Sequence, residues 1–450
     1  MRTVTLVGLC LGLTVGLRPA VAWAQTGPPL SLTLDEAIAR GLAAAPRVAA
    51  AKAREQAAGA TVSAQAAGRL PVVSTGAGFL RTNHVEAFGL MLPDGTFRTI
   101  FPDLPDNYQV HAEVDVPIYT AGRVGALVSS AKADAAAVAD DRASTEADLR
   151  LEIATGYWSL VTARASVTVL EQALRRADAS VSDARARVEA GFLPPSDRLS
   201  AEAERAREAV RLIQARHEAA VAELTFDRLV GADLGQPIVT ASSIADADPA
   251  AEALEHRGVV DLVDHARQGR PEVMSLKAHA DSLEAAAQAS RAVLRPAVAG
   301  IGTVEPARPN PIFVPRADDW KTSWSLGVNV NWAVWDGGRA QAQAAAETAQ
   351  AEALRRQADD VEAGIAVEIR ARLLDLDADR AALAASGEAV AAASEAHRVV
   401  AERFRAGVAT STEVLDAEVG LLEASLDQTR LAAAERLDEA RLRHAIGDRP

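Results

Sequence analysis

Trp324-Ser325-Leu326-Gly327-Val328-Asn329-Val330-Asn331-Trp332-Ala333-Val334-Trp335-Asp336-Gly337-Gly338-Arg339 is the stretch whose reading decides the fold. Trp324, Leu326, Val328, Val330 and Trp332 alternate with Ser325, Gly327, Asn329 and Asn331, the period of a strand with one apolar and one polar face. The two glycines then open a run without proline from Arg339 to the penultimate residue, rich in Ala, Glu, Gln, Arg and Leu. A strand feeds a very long helix.

The same passage occurs earlier in the chain. Tyr119-Thr120-Ala121-Gly122-Arg123 stands 216 positions before Trp335-Asp336-Gly337-Gly338-Arg339. Ahead of it Val110, Ala112, Val114 and Val116 alternate with His111, Glu113 and Asp115. Ala190-Gly191, Leu199 and Ala201-Glu202 return at the same offset as Ala406-Gly407, Leu415 and Ala417-Glu418, while Pro46 and Pro71 match Pro271 and Pro296 at an offset of 225. The first copy therefore carries nine extra residues between Pro71 and Tyr119. A register broken once describes a duplicated unit with one loop of variable length. Two copies are too few for a solenoid, so they pack side by side.

Each copy predicts a helix, two strands, a long helix and a shorter returning helix. The first, residues 25–245, places helix at about 34–68, strands at 72–80 and 109–118, and helices at 122–190 and 196–231. The second, residues 246–450, places helix at about 258–294, strands at 297–304 and 323–334, and helices at 338–406 and 412–447. In the first long helix Leu160, Val167, Leu174, Val181 and Val188 recur every seven residues, as do Leu376, Leu383, Val390, His397 and Phe404 in the second. That is a coiled-coil seam. A helix of ~65 residues is about 100 Å long, enough to span a compartment. Both long helices end at a glycine, Gly191 or Gly407. Ser196 is the expected cap of the helix after the first tip, and Thr410-Ser411-Thr412-Glu413 has the form of a capping box after the second.

Residues 1–24 read as a secretory signal: Arg2, an apolar stretch from Val4 to Leu17, and Ala22-Trp23-Ala24 before a cut ahead of Gln25, with a cut after Ala22 as the alternative. Cys10, the single cysteine, leaves with it, which excludes disulfides, cysteine catalysis and cysteine-held metals. Losing Arg2 and Arg18 takes the formal charge from -14 to -16, against a nucleic-acid partner. No mature stretch approaches the ~18 apolar residues of a membrane-spanning helix. If the chain crosses a membrane, it does so as strands.

Aromatic residues support that route. Of 17 Phe, Tyr and Trp residues, six lie in Phe79–Tyr119 and five in Phe313–Trp335, bounding the strands as interfacial girdles do. A water-soluble sandwich is the other reading of the strands alone. Four strands cannot close a barrel in lipid, so the membrane reading requires several copies.

The duplicated order, with tips Ala190-Gly191-Phe192-Leu193-Pro194-Pro195-Ser196-Asp197 and Ala406-Gly407-Val408-Ala409-Thr410-Ser411-Thr412-Glu413, resembles the TolC-type outer-membrane efflux protein family over essentially the whole mature chain. The resemblance implies a mainly α fold with a small β part. Three protomers would form one twelve-stranded barrel in the outer-membrane lipid and one periplasmic α-barrel. It implies a periplasmic adaptor protein at the tips and an inner-membrane transporter, an RND pump or an ABC exporter. Glu413 and Asp416 take the positions of the family's periplasmic gate, where threefold symmetry would make a ring of carboxylates. An acidic first turn complementing the helix dipole is the competing reading. Gly191, Phe192, Asp197, Phe404, Gly407 and Val408 are the tip and docking candidates, Gly122, Arg123, Gly338 and Arg339 the barrel–helix junction. His111, Glu113, Asp115, Asn329 and Asn331 are the lumen candidates. In relatives an Asp of the first copy latches to a Tyr and an Arg of the second. Asp197 matches the Asp, but Phe404 and Ala409 replace the others, so closure must use other contacts.

Asp375-x-Asp377-x-Asp379 lacks the glycine of a calcium loop, since Arg380 stands there. No metal-ligand spacing, nucleophile motif or phosphate loop occurs. These readings converge on a passive export duct without cofactor, metal or enzymatic activity; a non-conducting periplasmic or cell-surface coiled-coil scaffold is the alternative.

Overall fold

A computed structural model describes residues 30–234, 236–242 and 257–448. The expected leader, its cleavage positions and the boundary at 245/246 lie outside the described residues. The first copy comprises β1 (Leu30–Leu32), α1 (Leu34–Ala44), α2 (Pro46–Ala67), β2 (Val72–Arg81), β3 (Phe88–Met91), β4 (Phe97–Phe101), β5 (Asp106–Tyr119), α3 (Arg123–Glu189), α4 (Pro195–Val230) and β6 (Ile238–Thr240). The second comprises α5 (Val259–Gly269), α6 (Pro271–Ala292), β7 (Ala297–Arg308), β8 (Lys321–Asn331), α7 (Arg339–Arg405) and α8 (Ser411–Ile446).

The single helices expected over 34–68 and 258–294 are each two helices. Pro46 and Pro271 stand at the first helical position of α2 and α6, and the residues before them, Ala45 and Arg270, are extended at ψ 120° and 119°. Proline disfavours the helical conformation in the preceding residue, so the axis turns there.

β2, β5, β7 and β8 form one antiparallel sheet in that order. β8 ends at Asn331, short of 334, and the Trp332 indole N–H turns to the Leu294 carbonyl beyond α6, 3.1 Å away. The loop of variable length between β2 and β5 contains the β3–β4 hairpin, which has no counterpart among the described residues of the second copy. A second feature not expected from sequence is the parallel pairing of β1 with β6, which brings the ends of the first copy together.

α3 and α7 each run for 67 residues, and α4 and α8 for 36. The four lie side by side in the order α4, α3, α8, α7, with α2 laid on α3, and α6 between α3 and α7. Where the short helices meet the long ones, each copy has its own core. Leu149, Ile153, Leu160, Phe226 and Val230 anchor the first. Their counterparts 216 residues on, Ile365, Ile369, Leu376, Leu442 and Ile446, anchor the second.

Candidate functional site: junction, sheet face and helical tip

At the junction of sheet and helices the backbone turns through two consecutive left-handed residues in each copy: Ala121 and Gly122 at φ 54° and 81°, Gly337 and Gly338 at φ 75° and 85°. This is the physical content of the repeated Gly-Arg motif. In the second copy the Asp336 carboxylate accepts the N–H groups of Gly338 (3.0 Å) and Ala340 (2.8 Å), capping α7. In the first, Thr120 accepts the Arg123 N–H through its carbonyl alone, at 2.9 Å. The exposed Arg123 and Arg339 begin the two long helices, and among the described residues neither side chain has a hydrogen-bond or ion partner.

Register assigns the sheet's faces, because paired residues share a side. His111, Glu113, Asp115, Asn329 and Asn331 fall on one face with Ser74, Thr303 and Ser325. The Thr303 and Ser325 hydroxyls bond across it at 2.7 Å. Opposite His111 the partner is Gly76, and the imidazole occupies the space that a Cβ there would need. The other face carries Val73, Phe79, Val110, Val114, Trp324, Leu326, Val328 and Val330. Trp324 and Leu326 are 75% and 82% exposed. An apolar face left bare over four strands is not a core.

Both tips are Schellman turns: Phe192 N–H bonds the Arg187 carbonyl (2.8 Å) and Gly191 N–H that of Val188 (3.0 Å), with Val408–Arg403 and Gly407–Phe404 in the second copy. Gly191 and Gly407 sit at φ 77° and 75°, and Phe192 and Val408 project outward, exposed. The chain then differs between copies. α4 begins at Pro195 after Pro194, with no side-chain cap, so Ser196 does not take the capping role; its hydroxyl bonds Asp197 instead. α8 is capped by Thr410, which accepts the Glu413 N–H at 3.3 Å. The box is not closed: the Glu413 carboxylate takes the Thr410 hydroxyl at 3.2 Å rather than the backbone. Arg403 stands 3.9 Å from that carboxylate, and Asp416 is exposed, without a partner among the described residues.

Two contacts tie the copies together at the tip. The Ser411 hydroxyl donates to Asp197 at 2.9 Å. Arg187 donates to the Phe404 carbonyl at 3.0 Å and lies 4.6 Å over the Phe404 ring, held by Asp183 at 3.1 Å. Sequence reasoning placed Asp197 and Phe404 but missed Arg187 and Ser411. One signal was available: Arg187 and Arg403 are 216 apart, yet the ring at Phe404 has Val188 as its counterpart, so only one arginine can stack.

Farther from the tip, all four long helices meet at a buried polar cluster. Glu204 and Glu208 come from α4, Arg176 and Ser180 from α3, Glu418 from α8 and His397 from α7. Ser180 donates to Glu418 at 2.5 Å, and His397 lies 3.7 Å from the same carboxylate. Glu208, 4% exposed, pairs with Arg211 at 2.9 Å. Burial pushes the Glu208 carboxyl above its ordinary range and the Arg176 guanidinium below its own. Among the described residues no acidic or histidine cluster could hold a metal ion, and no helix is long and apolar enough to cross a membrane.

A four-stranded sheet with one bare apolar face and two unpaired edges, continuous with a row of long helices open at both ends, defines one sector of a larger cylinder. The chain belongs to the outer membrane efflux protein family, whose sequence profile matches residues 37–232 and 262–448, once in each copy. Outer membrane efflux protein BepC of Brucella suis is 26% identical over 297 residues, covering 66% of this chain and 62% of that protein. The crystal structure of VceC from Vibrio cholerae is similar over 92% of this chain and 96% of its own, with a TM-score of 0.75 at 19% identity. The CmeC outer membrane channel of Campylobacter jejuni covers 92% and 85% with a TM-score of 0.77 at 13% identity. The MtrE outer membrane channel of Neisseria gonorrhoeae gives 92%, 88% and 0.73 at 16% identity. These likenesses show the fold, a helical barrel element joined to a β-barrel element.

Proposed function

We propose that the chain is the outer-membrane exit duct of a tripartite export system, a homotrimer that conducts cargo passively. The observation that carries this reading is the sheet. Its bare apolar face suits lipid, its polar face with His111, Glu113, Asp115, Asn329 and Asn331 suits a water-filled lumen, and its edges at β2 and β8 demand neighbours. Three copies give twelve strands and a twelve-helix tunnel. The exposed Phe192 and Val408, whose Schellman turns leave them without the usual apolar contact within the helix, are the docking points for a periplasmic adaptor. Energy comes from an inner-membrane transporter, an RND pump or an ABC exporter. Glu413 and Asp416, repeated by the threefold axis, form the acidic aperture, with Arg403 beside each Glu413.

Purified protein inserted into planar bilayers tests the reading. Cation-selective single channels from a heat-resistant trimer are expected. A monomer that remains dissolved without detergent and conducts nothing would overturn it. Glu413→Ala with Asp416→Ala should weaken block by divalent cations; unchanged block removes the aperture assignment while leaving the duct.

A further inference from the structure

The nine extra residues of the first copy lie within a loop that builds a surface the duct reading does not use. β3 pairs with β4 at the end of the sheet remote from the helices, with Phe88 against Phe101 and Met91 against Phe97. Phe88, Leu90, Met91 and Phe97 are each more than half exposed. The hairpin is nonetheless fixed in place. Leu92 N–H bonds the Thr96 carbonyl at 2.8 Å across its turn. From the corresponding loop of the second copy, Arg316 donates its backbone N–H to the Ile100 carbonyl at 3.2 Å, and its guanidinium lies 5.7 Å over the Phe101 ring.

A two-stranded ribbon with apolar side chains on both faces is marginal in water. Lipid cannot cover it either, because its backbone edges are open and hydrocarbon does not tolerate them. It also lies beyond the aromatic group of Phe79, Tyr108 and Trp320 at the end of the strands, where an interfacial girdle would stand. The remaining candidate is protein. The hairpin rises from β2, an open edge of the sheet, so it is continuous with the edge where the next protomer must join. It also carries one cation, Arg98, and its approach one anion, Glu86; neither has an ion partner within the described residues of its own chain.

We infer that the β3–β4 hairpins of three copies pack on one another at the outer mouth of the barrel, forming a collar that narrows the exit. This rests on the trimeric duct proposed above. The collar buries Leu90, Met91 and Phe97 between copies and brings Arg98 of one chain to Glu86 of the next. It belongs to this chain's first copy and has no equivalent at 309–320, so each chain contributes one wedge.

Met91→Cys in a chain carrying Cys10→Ser, which has no other thiol, provides the test. A short bis-maleimide applied to whole outer membranes should link chains into dimers, and adding Phe97→Ser with Leu90→Ser should abolish the link and raise single-channel conductance. The inference is overturned if trimers form, as native mass spectrometry would show, yet Met91→Cys never links chains and the serine variant conducts like the parent. Absence of trimers would overturn the collar together with the duct.

Discussion

The two copies answer the same packing problem with different chemistry. In the first, Tyr157, Trp158 and Phe226 form an edge-to-face aromatic group, with ring centroids 5.3 and 5.7 Å apart. In the second the positions of Tyr157, Trp158 and Phe226 are Leu373, Leu374 and Leu442, and Leu374 is 68% exposed. The Tyr157 hydroxyl explains the asymmetry. It donates to the Leu32 carbonyl at 3.2 Å and accepts the Ser242 N–H at 3.0 Å, tying the end of β1 to the chain just past β6 in a parallel pair that has no counterpart among the described residues of the second copy. A duplicated chain thus keeps its fold while one half acquires a polar tie. The tip shows the same divergence: Arg187 is locked onto Phe404 of the other copy, whereas Arg403 donates to the Val408 carbonyl of its own turn at 3.3 Å and stands 3.9 Å from Glu413.

The comparison is sharpest in the cores. Phe226→Ala should cost about 3–5 kcal/mol, and Leu442→Ala about 2–5 kcal/mol, because both empty fully buried sites. Thermal melts of the detergent-solubilised protein should rank the phenylalanine variant lower; equal melts would mean that the aromatic group adds nothing to the first core. Tyr157→Phe should cost about 1–3 kcal/mol through the Ser242 N–H it leaves unpaired, while the Leu32 carbonyl keeps the Ala241 N–H at 2.9 Å. Hydrogen exchange would read the loss as faster exchange at Leu32 and Ile238, while the second core stays protected.

At the tip, Arg187→Ala should loosen the link between copies by about 1–2 kcal/mol and increase channel opening, while Arg403→Ala should change little. Equal effects would dissolve the distinction. Glu208 supplies a pH test. Its carboxyl titrates above the ordinary range in the folded protein, so protonation favours the fold: the stabilisation is complete below the ordinary carboxylate range and is lost as pH rises through the raised value. Glu208→Gln should therefore melt higher than the parent at neutral pH and alike in acid. The smallest effect is expected at the junction. Asp336→Ala removes a cap of about 1 kcal/mol, and Thr120→Ala should be near neutral because only its backbone is used.

Much of this architecture was legible from local pattern. Alternation in Val110–Val116 and Trp324–Trp332, the heptads from Leu160 and the glycines at 122, 191, 338 and 407 are each set by a few neighbouring residues. The helix breaks at Pro46 and Pro271 have a local cause too, since proline favours the first helical position, but helix-forming residues on both sides mask the change of axis. What sequence did not disclose depends on partners distant in the chain: the Tyr157 hydroxyl reaching Leu32, Arg187 reaching Phe404, and four helices delivering Arg176, Glu208, Glu418 and His397 to one buried point. The β3–β4 hairpin escaped because Phe88–Met91 is too short to show a period. Its extra length, read from the change of offset, marked only where to look.

Closure of the sheet on its neighbours is the claim on which the rest depends, and the edge strands test it directly. Ser74→Cys in β2 and Ser325→Cys in β8 lie in one row on the same face, three strand spacings apart within one chain, about 14 Å. With both cysteines in a chain carrying Cys10→Ser, a reagent shorter than that span should yield dimers and trimers joined edge to edge. Chains that remain single under the same treatment, in membranes where each cysteine is shown to be reactive, would contradict the account.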